Sequence, residues 1–420
     1  MRQPADGPLQ FGVDRLLADP ALWRAWTRVG LVTNDAARLA QAPAQRSRVA
    51  LRGAGVPIVR LFGPEHGLGA TADDGAVVHD GVDAATTLPV VSLYGTRMRP
   101  TRAQLTDLDI VLFDIPDVGA RFYTYAWTLW HLVHACGEAR VPLMVLDRPN
   151  PLSGVIASAE GPMLQPDCRS FIGEDDIPVR HSLTLGELAR LWQREHVPEL
   201  ELHVMTCRGY DATGAWPATG CRWVATSPAM PSFTSAIWYP GTCLFEATNL
   251  SVGRGTATPF AQVGAPWLDS GRLIDALTPH LAHDAARCSP LRVRPCRFTP
   301  AQGPHAQEAC HGVRFELAVA DDRDLAEVVA RSVRPVAWGL TLLAEVMATH
   351  PESFAWARYP TAANPQGEDH LARLIGDARV ATALQAASVV GGPSLGASAT
   401  GWTSAPAWAE RTAPVLLYPR

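Results

Sequence analysis

Short apolar runs that end in polar loops recur through the first 150 residues of this chain. Five of these loops carry chemically versatile side chains, namely Asn34, Glu65 with His66, Tyr94, Asp114 with Asp117, and Asp147 with Arg148 and Asn150. Segments with helical spacing separate the runs, and this alternation predicts parallel β-α units. Ligands of such open sheets bind outside the carboxyl ends of the strands, so the five polar endings predict a catalytic cleft.

The same pattern predicts the order of elements in the first part of the chain. We expect strands at 30–33, 56–62, 89–93, 110–114, 143–146 and 202–206, and helices at 11–28 with a break at Pro20, at 38–54 and at 125–136. Thr184 is followed three residues later by Glu187, a capping box that predicts a further helix start. Residues 209–233 are rich in Gly, Pro, Ser and Thr and predict an irregular crossing.

We place a domain boundary near residue 235, which divides the chain into 1–235 and 236–420, because 420 residues exceed what one hydrophobic core usually supports. In the second part we expect strands near 237–245 and 313–319, a helix near 324–349 and a closing strand at 415–417. The segment 389–401 is predicted to be a low-complexity loop.

Charge and composition exclude several classes of function. The net charge of −5 gives no electrostatic reason to bind nucleic acid or an anionic membrane. All 36 basic residues are arginine, which excludes chemistry that needs a Schiff-base or P-loop lysine. No apolar run is long enough for a membrane span, and the first residues lack the apolar segment of a signal peptide, so we expect a cytoplasmic protein.

The sequence predicts neither a metal site nor a cofactor. The eight cysteines are scattered without a C-x-x-C pair, and most are expected to be free thiols. No G-x-G-x-x-G fingerprint follows the first strand, which argues against a bound dinucleotide. A G-x-S-x-G elbow is absent as well, so serine esterase chemistry lacks its motif.

The run Gly63-Pro64-Glu65-His66-Gly67 is the sharpest single motif. Its glutamate follows a buried strand, so the carboxyl is expected to be partly desolvated. Burial raises the pKa of a carboxyl, and such a group can deliver a proton near neutral pH. The alternatives are that Glu65 pairs with an arginine and ties the loop down, and that His66 is a hydrogen-bonded partner.

A second group of candidates lies where the strand at 110–114 turns into a helix. Asp114, Asp117, Arg121 and Tyr123 all fall within twelve residues. Two carboxylates three residues apart can both face the mouth of a cleft, as an acid, a base, a nucleophile or a transition-state stabiliser. The structural alternative is that Asp117 caps the helix.

Two arginines are candidates for binding a carboxylate, because the planar guanidinium matches that group. Arg148 lies in a rigid turn, where it can also form a salt bridge with the neighbouring acids. Arg254 lies between Gly253 and Gly255, which allow the backbone to approach a ligand closely. The stretch 239–256 around it also carries Glu246 and Asn249.

These ordered motifs resemble the exo-β-N-acetylmuramidase family, the NamZ-type glycoside hydrolases that were long described as a domain of unknown function. The matching runs are Leu31–Asn34, Phe62–Gly67, Ser92–Gly95, Phe113–Asp114, Asp117–Tyr125, Val145–Pro151, Ser170–Phe171, Thr184–Ala189, Tyr239–Thr242, Thr248–Ser251, Gly253–Thr256 and Gly264–Trp267. The resemblance covers about residues 11–360 and matches more loosely to the end.

The resemblance implies an α/β fold, with a Rossmann-like N-terminal domain, a smaller α/β C-terminal domain and a cleft between them. It also implies release of N-acetylmuramic acid from the non-reducing end of peptidoglycan fragments, with Glu65 as the catalytic acid. Asp114, Asp117 or Glu246 would then be the base or would orient the 2-acetamido group. Arg121, Arg148 or Arg254 would bind the lactyl carboxylate, and the remaining contacts are expected from Asn34, His66, Tyr94, Tyr123, Asn150 and Asn249.

The chain departs from the family pattern at Pro116, Ser182, Ala229 and Val252, where Gln, Gly, Asn and Glu are usual. The departures at Pro116, Ala229 and Val252 motivate an alternative hypothesis, in which the chain is a non-catalytic protein that binds or senses muramyl sugars on the same fold.

Overall fold

The computed structural model describes residues 7–286, 290–390, 401–405 and 407–420. Its centre is a sheet whose seven strands are β1 (Val29–Thr33), β2 (Ile58–Gly63), β3 (Gly81–Val82), β4 (Pro89–Ser92), β5 (Ile110–Asp114), β6 (Leu143–Leu146) and β9 (Leu202–Met205). Six strands are parallel, and the short β3 lies antiparallel at one edge.

The strand order β4-β2-β1-β5-β6-β9 reveals how the chain winds. From β1 the chain moves outward through β2 to β4, then returns to β5 on the other side of β1 and continues outward through β6 to β9. This is the doubly wound order of a Rossmann-like fold, with its reversal between β1 and β5. The predicted α/β class is confirmed, and all five polar endings lie at the carboxyl edge of one sheet.

Helices cover both faces of this sheet. They are α1 (Gly12–Ala18), α2 (Ser47–Gly53), α3 (Arg102–Leu105), α4 (Tyr125–Ala139) and α5 (Leu185–His196). Alternate residues of each strand point to opposite faces. In β5, Val111 and Phe113 therefore pack with α3, α4 and α5, whereas Ile110 and Leu112 pack with α1 and α2.

The capping box predicted at α5 is present. The Thr184 hydroxyl accepts from the Glu187 amide at 3.2 Å, and the Glu187 carboxylate accepts from the Thr184 amide at 2.9 Å. Between β6 and α5 the chain also forms a two-stranded antiparallel ribbon of β7 (Glu160–Met163) and β8 (Pro178–Arg180).

The second part of the chain surrounds a small antiparallel sheet in the order β10 (Gln262–Ala265), β12 (Cys310–Leu317) and β11 (Leu291–Phe298). The helices here are α6 (Phe233–Thr242), α7 (Ser270–Ala286), α8 (Asp322–Arg331), α9 (Pro335–Thr349), α10 (His370–Ile375), α11 (Ala378–Val390) and α12 (Trp408–Thr412). The larger apolar core runs from the sheet face under α4 into α6 and α9.

Several predicted elements of this part were wrong. The strand expected at 237–245 is the helix α6 followed by a 3₁₀ turn at Cys243–Ala247, because Ser232 caps a helix that is buried on all sides. An apolar run of this kind has no periodicity that separates a strand from a helix. The helix expected at 324–349 is two helices, since Pro335 begins a new one.

The closing strand expected at 415–417 was also wrong, and a 3₁₀ turn occupies Ala413–Val415. The helix expected at 38–54 covers only Ser47–Gly53. Most of the low-complexity loop predicted at 389–401, residues 391–400, lies outside the described residues. Seven cysteines within the described ranges are free thiols, as expected for most of them.

Candidate active site

A cavity lies at the carboxyl edge of the sheet, between the loops after β2 and β5 and the second part of the chain. The polar side chains that line it include Glu65, His66, Asp74, Tyr123, Thr124, Glu246, Arg254, Tyr359 and His370.

Glu65 reaches this cavity because β2 ends at Gly63 and Pro64 turns the chain. The side chain is only 5% exposed. One carboxyl oxygen accepts from the Gly75 amide at 3.0 Å, and the other accepts from the Thr124 hydroxyl at 2.6 Å. Glu65 is thus held by its own loop and by the start of α4.

His66 has a left-handed backbone, with φ of 65°, which is uncommon for a residue with a side chain. Its Nδ1 lies 2.8 Å from the carbonyl oxygen of Ala72. This contact holds the loop of residues 66–74 folded back, so that Asp74 lies beside Glu65.

Burial raises the pKa of Glu65, and the negative charge of Asp74 raises it further. His66 and the Thr124 hydroxyl act in the opposite direction without cancelling the effect. Tyr94 lies beside Glu65, and burial together with the charge of Glu65 raises the pKa of its phenol. A carboxyl of this kind keeps its proton to higher pH and is suited to general acid catalysis.

Asp74 has the opposite electrostatic environment. Burial would raise its pKa, but the positive charge of Arg254 and a hydrogen bond from Tyr359 outweigh that effect and lower it. The Tyr359 hydroxyl donates at 2.6 Å, and an Arg254 nitrogen lies 3.5 Å from the same Asp74 oxygen. Two neighbouring carboxyls whose pKa values are driven apart are the usual signature of an acid paired with an ionised partner.

Arg254 is fixed between two carboxylates. Its Nη2 lies 2.6 Å from a Glu246 oxygen, in addition to the contact with Asp74. Glu246 also accepts from the Cys243 thiol at 3.3 Å. The central carbon of the guanidinium lies 5.2 Å from the centroid of the Phe260 ring, which is within the range of a cation-π contact.

Glu65, His66 and Asp74 each offer one ligand atom, and these atoms lie within 4.8 Å of one another. Such a group could accept a metal ion. The guanidinium of Arg254 already supplies the positive charge next to Asp74, however, and this favours a pair of carboxyls that works without a metal. Asp175, Glu195 and His196 form a second such group, and Arg411 already pairs with its two carboxylates.

Comparison with known proteins identifies the family. The family model described as exo-β-N-acetylmuramidase NamZ, N-terminal, matches residues 29–234, and the corresponding C-terminal model matches residues 237–418. The chain belongs to the NamZ family. It is 36% identical over 346 residues to the peptidoglycan β-N-acetylmuramidase NamZ of Bacillus subtilis strain 168, a match that covers 82% of this chain and 79% of that relative.

Two crystal structures of DUF1343 family proteins from Bacteroides fragilis NCTC 9343 resemble this NamZ-family chain. One superposes with a TM-score of 0.79 at 26% identity, over 98% of this chain and 99% of that one. The other has a TM-score of 0.72 at 24% identity with the same coverage, and shows the likeness of fold.

The cavity of this NamZ-family member brings together only part of the predicted set. Five of the predicted residues line it: Glu65, His66, Tyr123, Glu246 and Arg254. Tyr123 donates to the Thr226 hydroxyl at 2.7 Å. Tyr94 is buried behind Glu65, and the Asn34 side chain accepts from the Ala36 amide at 3.0 Å within its own loop.

Asp114 and Arg148 are directed toward each other. They form a buried ion pair at 2.7 Å, and Arg148 also donates to the Arg38 carbonyl at 2.9 Å. Asp117 accepts from the Gly119 amide at 3.0 Å and lies 3.3 Å from a His181 nitrogen. Arg148 and Asp117 line a separate cavity, at the point where the strand order reverses.

Three further candidates hold backbone segments together. Arg121 is fully buried and donates to the carbonyls of Pro162, Ile177, Leu374 and Ile375. Asn150 bonds to the Leu183 carbonyl and the Leu152 amide. Asn249 bonds to the Ser353 carbonyl and the Ala355 amide.

The sequence analysis did not single out Asp74, Tyr359 and His370. Asp74 belongs to the glycine-rich loop after β2, so its place beside a strand ending was a usable signal. Tyr359 and His370 stack on each other with ring centroids 4.6 Å apart. They come from irregular chain after α9 and from the first turn of α10, where no strand ending marks them.

Proposed function

We propose that this chain is an exo-acting β-N-acetylmuramidase, a glycoside hydrolase that releases N-acetylmuramic acid from the non-reducing end of peptidoglycan fragments during cell-wall turnover and recycling. The family membership and the named activity of the Bacillus subtilis relative support this proposal. The single observation that carries it is Glu65, a buried carboxyl with a raised pKa that faces an ionised Asp74 across the cavity.

In this proposal Glu65 donates its proton to the oxygen of the glycosidic bond as that bond breaks. A leaving sugar oxygen is a poor leaving group without protonation, and glycosidases therefore place a carboxylic acid beside it. The amide of Gly75 and the hydroxyl of Thr124 then stabilise the carboxylate that remains. The same group can take a proton from water in a later step.

Arg254 is our candidate for recognising the lactyl carboxylate that distinguishes muramic acid from glucosamine. No other arginine of the described residues lines the cavity, whereas Arg148 and Arg121 are engaged elsewhere. Contacts with Glu246 and Asp74 fix the direction of the guanidinium, and a planar guanidinium binds a carboxylate with high geometric selectivity.

Hydrolysis of a disaccharide in which N-acetyl-β-muramic acid is linked to N-acetylglucosamine tests the proposal, because its sugar leaving group needs a proton from an acid. We expect turnover by the wild type and a loss of roughly a hundredfold to ten-thousandfold in Glu65→Gln, since the amide cannot donate the acidic proton. Glu138→Gln is the matched control, because Glu138 is an exposed carboxylate paired with Arg99 on the surface. A wild type that binds the muramide without cleaving it would favour the sugar-sensing alternative instead.

The cytoplasmic location and the absence of a nucleic-acid partner stay predictions. None of the described helices is both long and apolar enough to cross a membrane. Cell fractionation followed by immunodetection, and a binding titration with duplex DNA and RNA, would check these two predictions.

A further inference from the structure

We propose that Asp74 is the second catalytic carboxylate, and that it holds the N–H of the sugar's 2-acetamido group while the acetamido oxygen attacks the anomeric carbon. This inference rests on the proposed function, since it concerns the same cavity. It makes the reaction substrate-assisted and the product retained in configuration.

The separation of the two carboxyls is the first argument. One oxygen of Glu65 and one of Asp74 lie within 4.8 Å. An inverting glycosidase needs about 6.5–9.5 Å between its carboxyls, because a water molecule must attack from the opposite face of the sugar. An upper limit of 4.8 Å between these two oxygens is nearer to the roughly 5 Å of a retaining site than to the wider spacing that an attacking water requires.

The hydrogen bonds of Asp74 supply the second argument. One oxygen, Oδ2, receives both the Tyr359 hydroxyl and the Arg254 guanidinium. These two donors make Oδ2 a weaker nucleophile, and they also stabilise Asp74 as an anion. Within the described ranges no protein hydrogen bond reaches Oδ1, and the side chain is 30% exposed toward the cavity. Asp74 can therefore accept a hydrogen bond from a ligand.

The chemical step is balanced with the groups at hand. Glu65 gives its proton to the glycosidic oxygen, the C1–O bond breaks with its electron pair on that oxygen, and the acetamido oxygen bonds to C1. The product of this step is a cationic oxazolinium ring that carries an N–H. The Asp74 carboxylate accepts a hydrogen bond from this N–H and stabilises the positive charge of the ring. Glu65 then removes a proton from water, the water oxygen bonds to C1, and the bond from C1 to the acetamido oxygen breaks.

Asp74 differs from the carboxylates that the strand endings suggested for this role. Asp114 is paired with Arg148, and Asp117 holds its own turn. Glu246 lies behind Arg254 and is held there at 2.6 Å. Asp74 is the carboxylate that lies next to Glu65 and is also open to a ligand.

The first experiment uses the wild-type enzyme. Proton NMR within the first turnovers should detect the β anomer of N-acetylmuramic acid before mutarotation. In a series of substrates with one, two and three fluorine atoms on the acetyl group, kcat/KM should fall steeply, because fluorine weakens the attacking oxygen. The α anomer as first product would overturn the inference, and so would a rate that does not respond to fluorine.

The second experiment uses Asp74→Asn, with Asp73→Asn as the matched control. Asp73 is the adjacent exposed carboxylate, which bonds to Gln302 outside the cavity. We expect kcat to fall roughly a hundredfold to a thousandfold in Asp74→Asn with KM little changed, since a charge that acts mainly in the transition state is lost. Asp73→Asn should match the wild type.

The outcomes separate the two proposals. If the wild type cleaves no muramide, the proposed function fails. If the wild type is active but Asp74→Asn, folded by its thermal unfolding curve, keeps its kcat, only the role of Asp74 fails. A glycosyl-enzyme trapped on Asp74 would overturn the orienting role in favour of a direct nucleophile. Should Asp74→Asn not fold, the anomer and the fluorine series on the wild type still decide.

Discussion

At the scale of single residues, the protonation of Glu65 is set by burial and by its neighbours. Burial and the charge of Asp74 raise its pKa, whereas His66 and Thr124 lower it. The acid must carry its proton when the sugar binds, so activity should decline as pH rises through the pKa of Glu65. A substitution at any of these neighbours should therefore shift the pH at which activity declines on the alkaline side of the profile.

Thr124→Val should move that limb to higher pH. The Thr124 hydroxyl donates to the ionised form of Glu65, and loss of this bond favours the protonated form. The pH dependence of kcat reports the acid in the enzyme–substrate complex and measures the shift. Thr128→Val is the control, because the Thr128 hydroxyl bonds to the Thr124 carbonyl and not to Glu65. A limb that moves down, or moves equally in both variants, would contradict this account.

Arg254→Lys should collapse discrimination between sugars. A lysine keeps the charge but loses the planar fork, so we expect catalytic efficiency on muramides to fall roughly tenfold to a hundredfold, or ~1.4–2.8 kcal/mol. The rate on the matching glucosaminide should hardly change, because that sugar has no lactyl carboxylate. Arg148→Lys serves as the comparison, and equal losses on both sugars in both variants would mean that the carboxylate is recognised elsewhere.

At the scale of elements, the strand endings predicted the edge of the sheet that carries the site but not the direction of each side chain. The loop after β2 directs Glu65 into the cavity. The loops after β5 and β6 instead bring Asp114 and Arg148 together. Whether a polar residue at a strand end faces a ligand or a neighbouring loop depends on contacts distant in sequence, and periodicity carries no signal for these contacts.

Prediction of the elements succeeded where local signals were strong. The capping box fixed the start of α5, and alternation fixed β1, β5 and β6 closely. The prediction failed at α6, because this helix is almost entirely buried and its sequence lacks the alternation of polar and apolar residues that distinguishes a helix from a strand. Tyr359 and His370 reach the cavity through tertiary packing alone, so their place in the site could not be predicted from the sequence.

Thr184→Ala should reduce the free energy of unfolding by about 1 kcal/mol, the usual contribution of an N-cap. The Thr184 hydroxyl also donates to Asp147 at 2.8 Å. Burial raises the pKa of Asp147 to about 6 from 3.8. The favourable contribution of Asp147 to the free energy of unfolding is present below about pH 4 and is lost as pH rises through 6. Removal of the hydrogen bond from Thr184 makes this loss larger, because that bond stabilises the ionised carboxylate.

Urea unfolding of wild type and Thr184→Ala at about pH 4.5 and pH 8 measures this effect. The difference between them should be larger at the higher pH, with kcat on muramides unchanged. A difference that shrinks at pH 8 would contradict the assignment of the bond to ionised Asp147.

At the scale of the whole molecule, the site combines residues far apart in the chain. Glu65 and Asp74 come from the first part, and Arg254, Tyr359 and His370 from the second. The two family models meet between residues 234 and 237, while the domain boundary near 235 stays a prediction. In the proposed mechanism, catalysis therefore depends on the first part for the acid and on the second part for the charge that keeps Asp74 ionised.

Exhaustive chelation should leave turnover unchanged, because Arg254 supplies the positive charge that a metal ion would otherwise bring to Asp74. Activity on the same disaccharide after dialysis against EDTA measures this. Loss of turnover that a divalent ion restores would instead assign Glu65, His66 and Asp74 as metal ligands.

The hydrogen bonds of Arg121 limit which recombinations of the gene can give a folded protein. Its guanidinium is buried and bonded to carbonyls at Pro162 and Ile177 on one side and at Leu374 and Ile375 on the other. A gene fragment that encoded only the first part would leave this cation without half of its acceptors, at a cost of several kcal/mol. We therefore expect recombination to transmit the two parts together, and swaps with distant relatives to succeed only when the segment around 374–375 travels with Arg121.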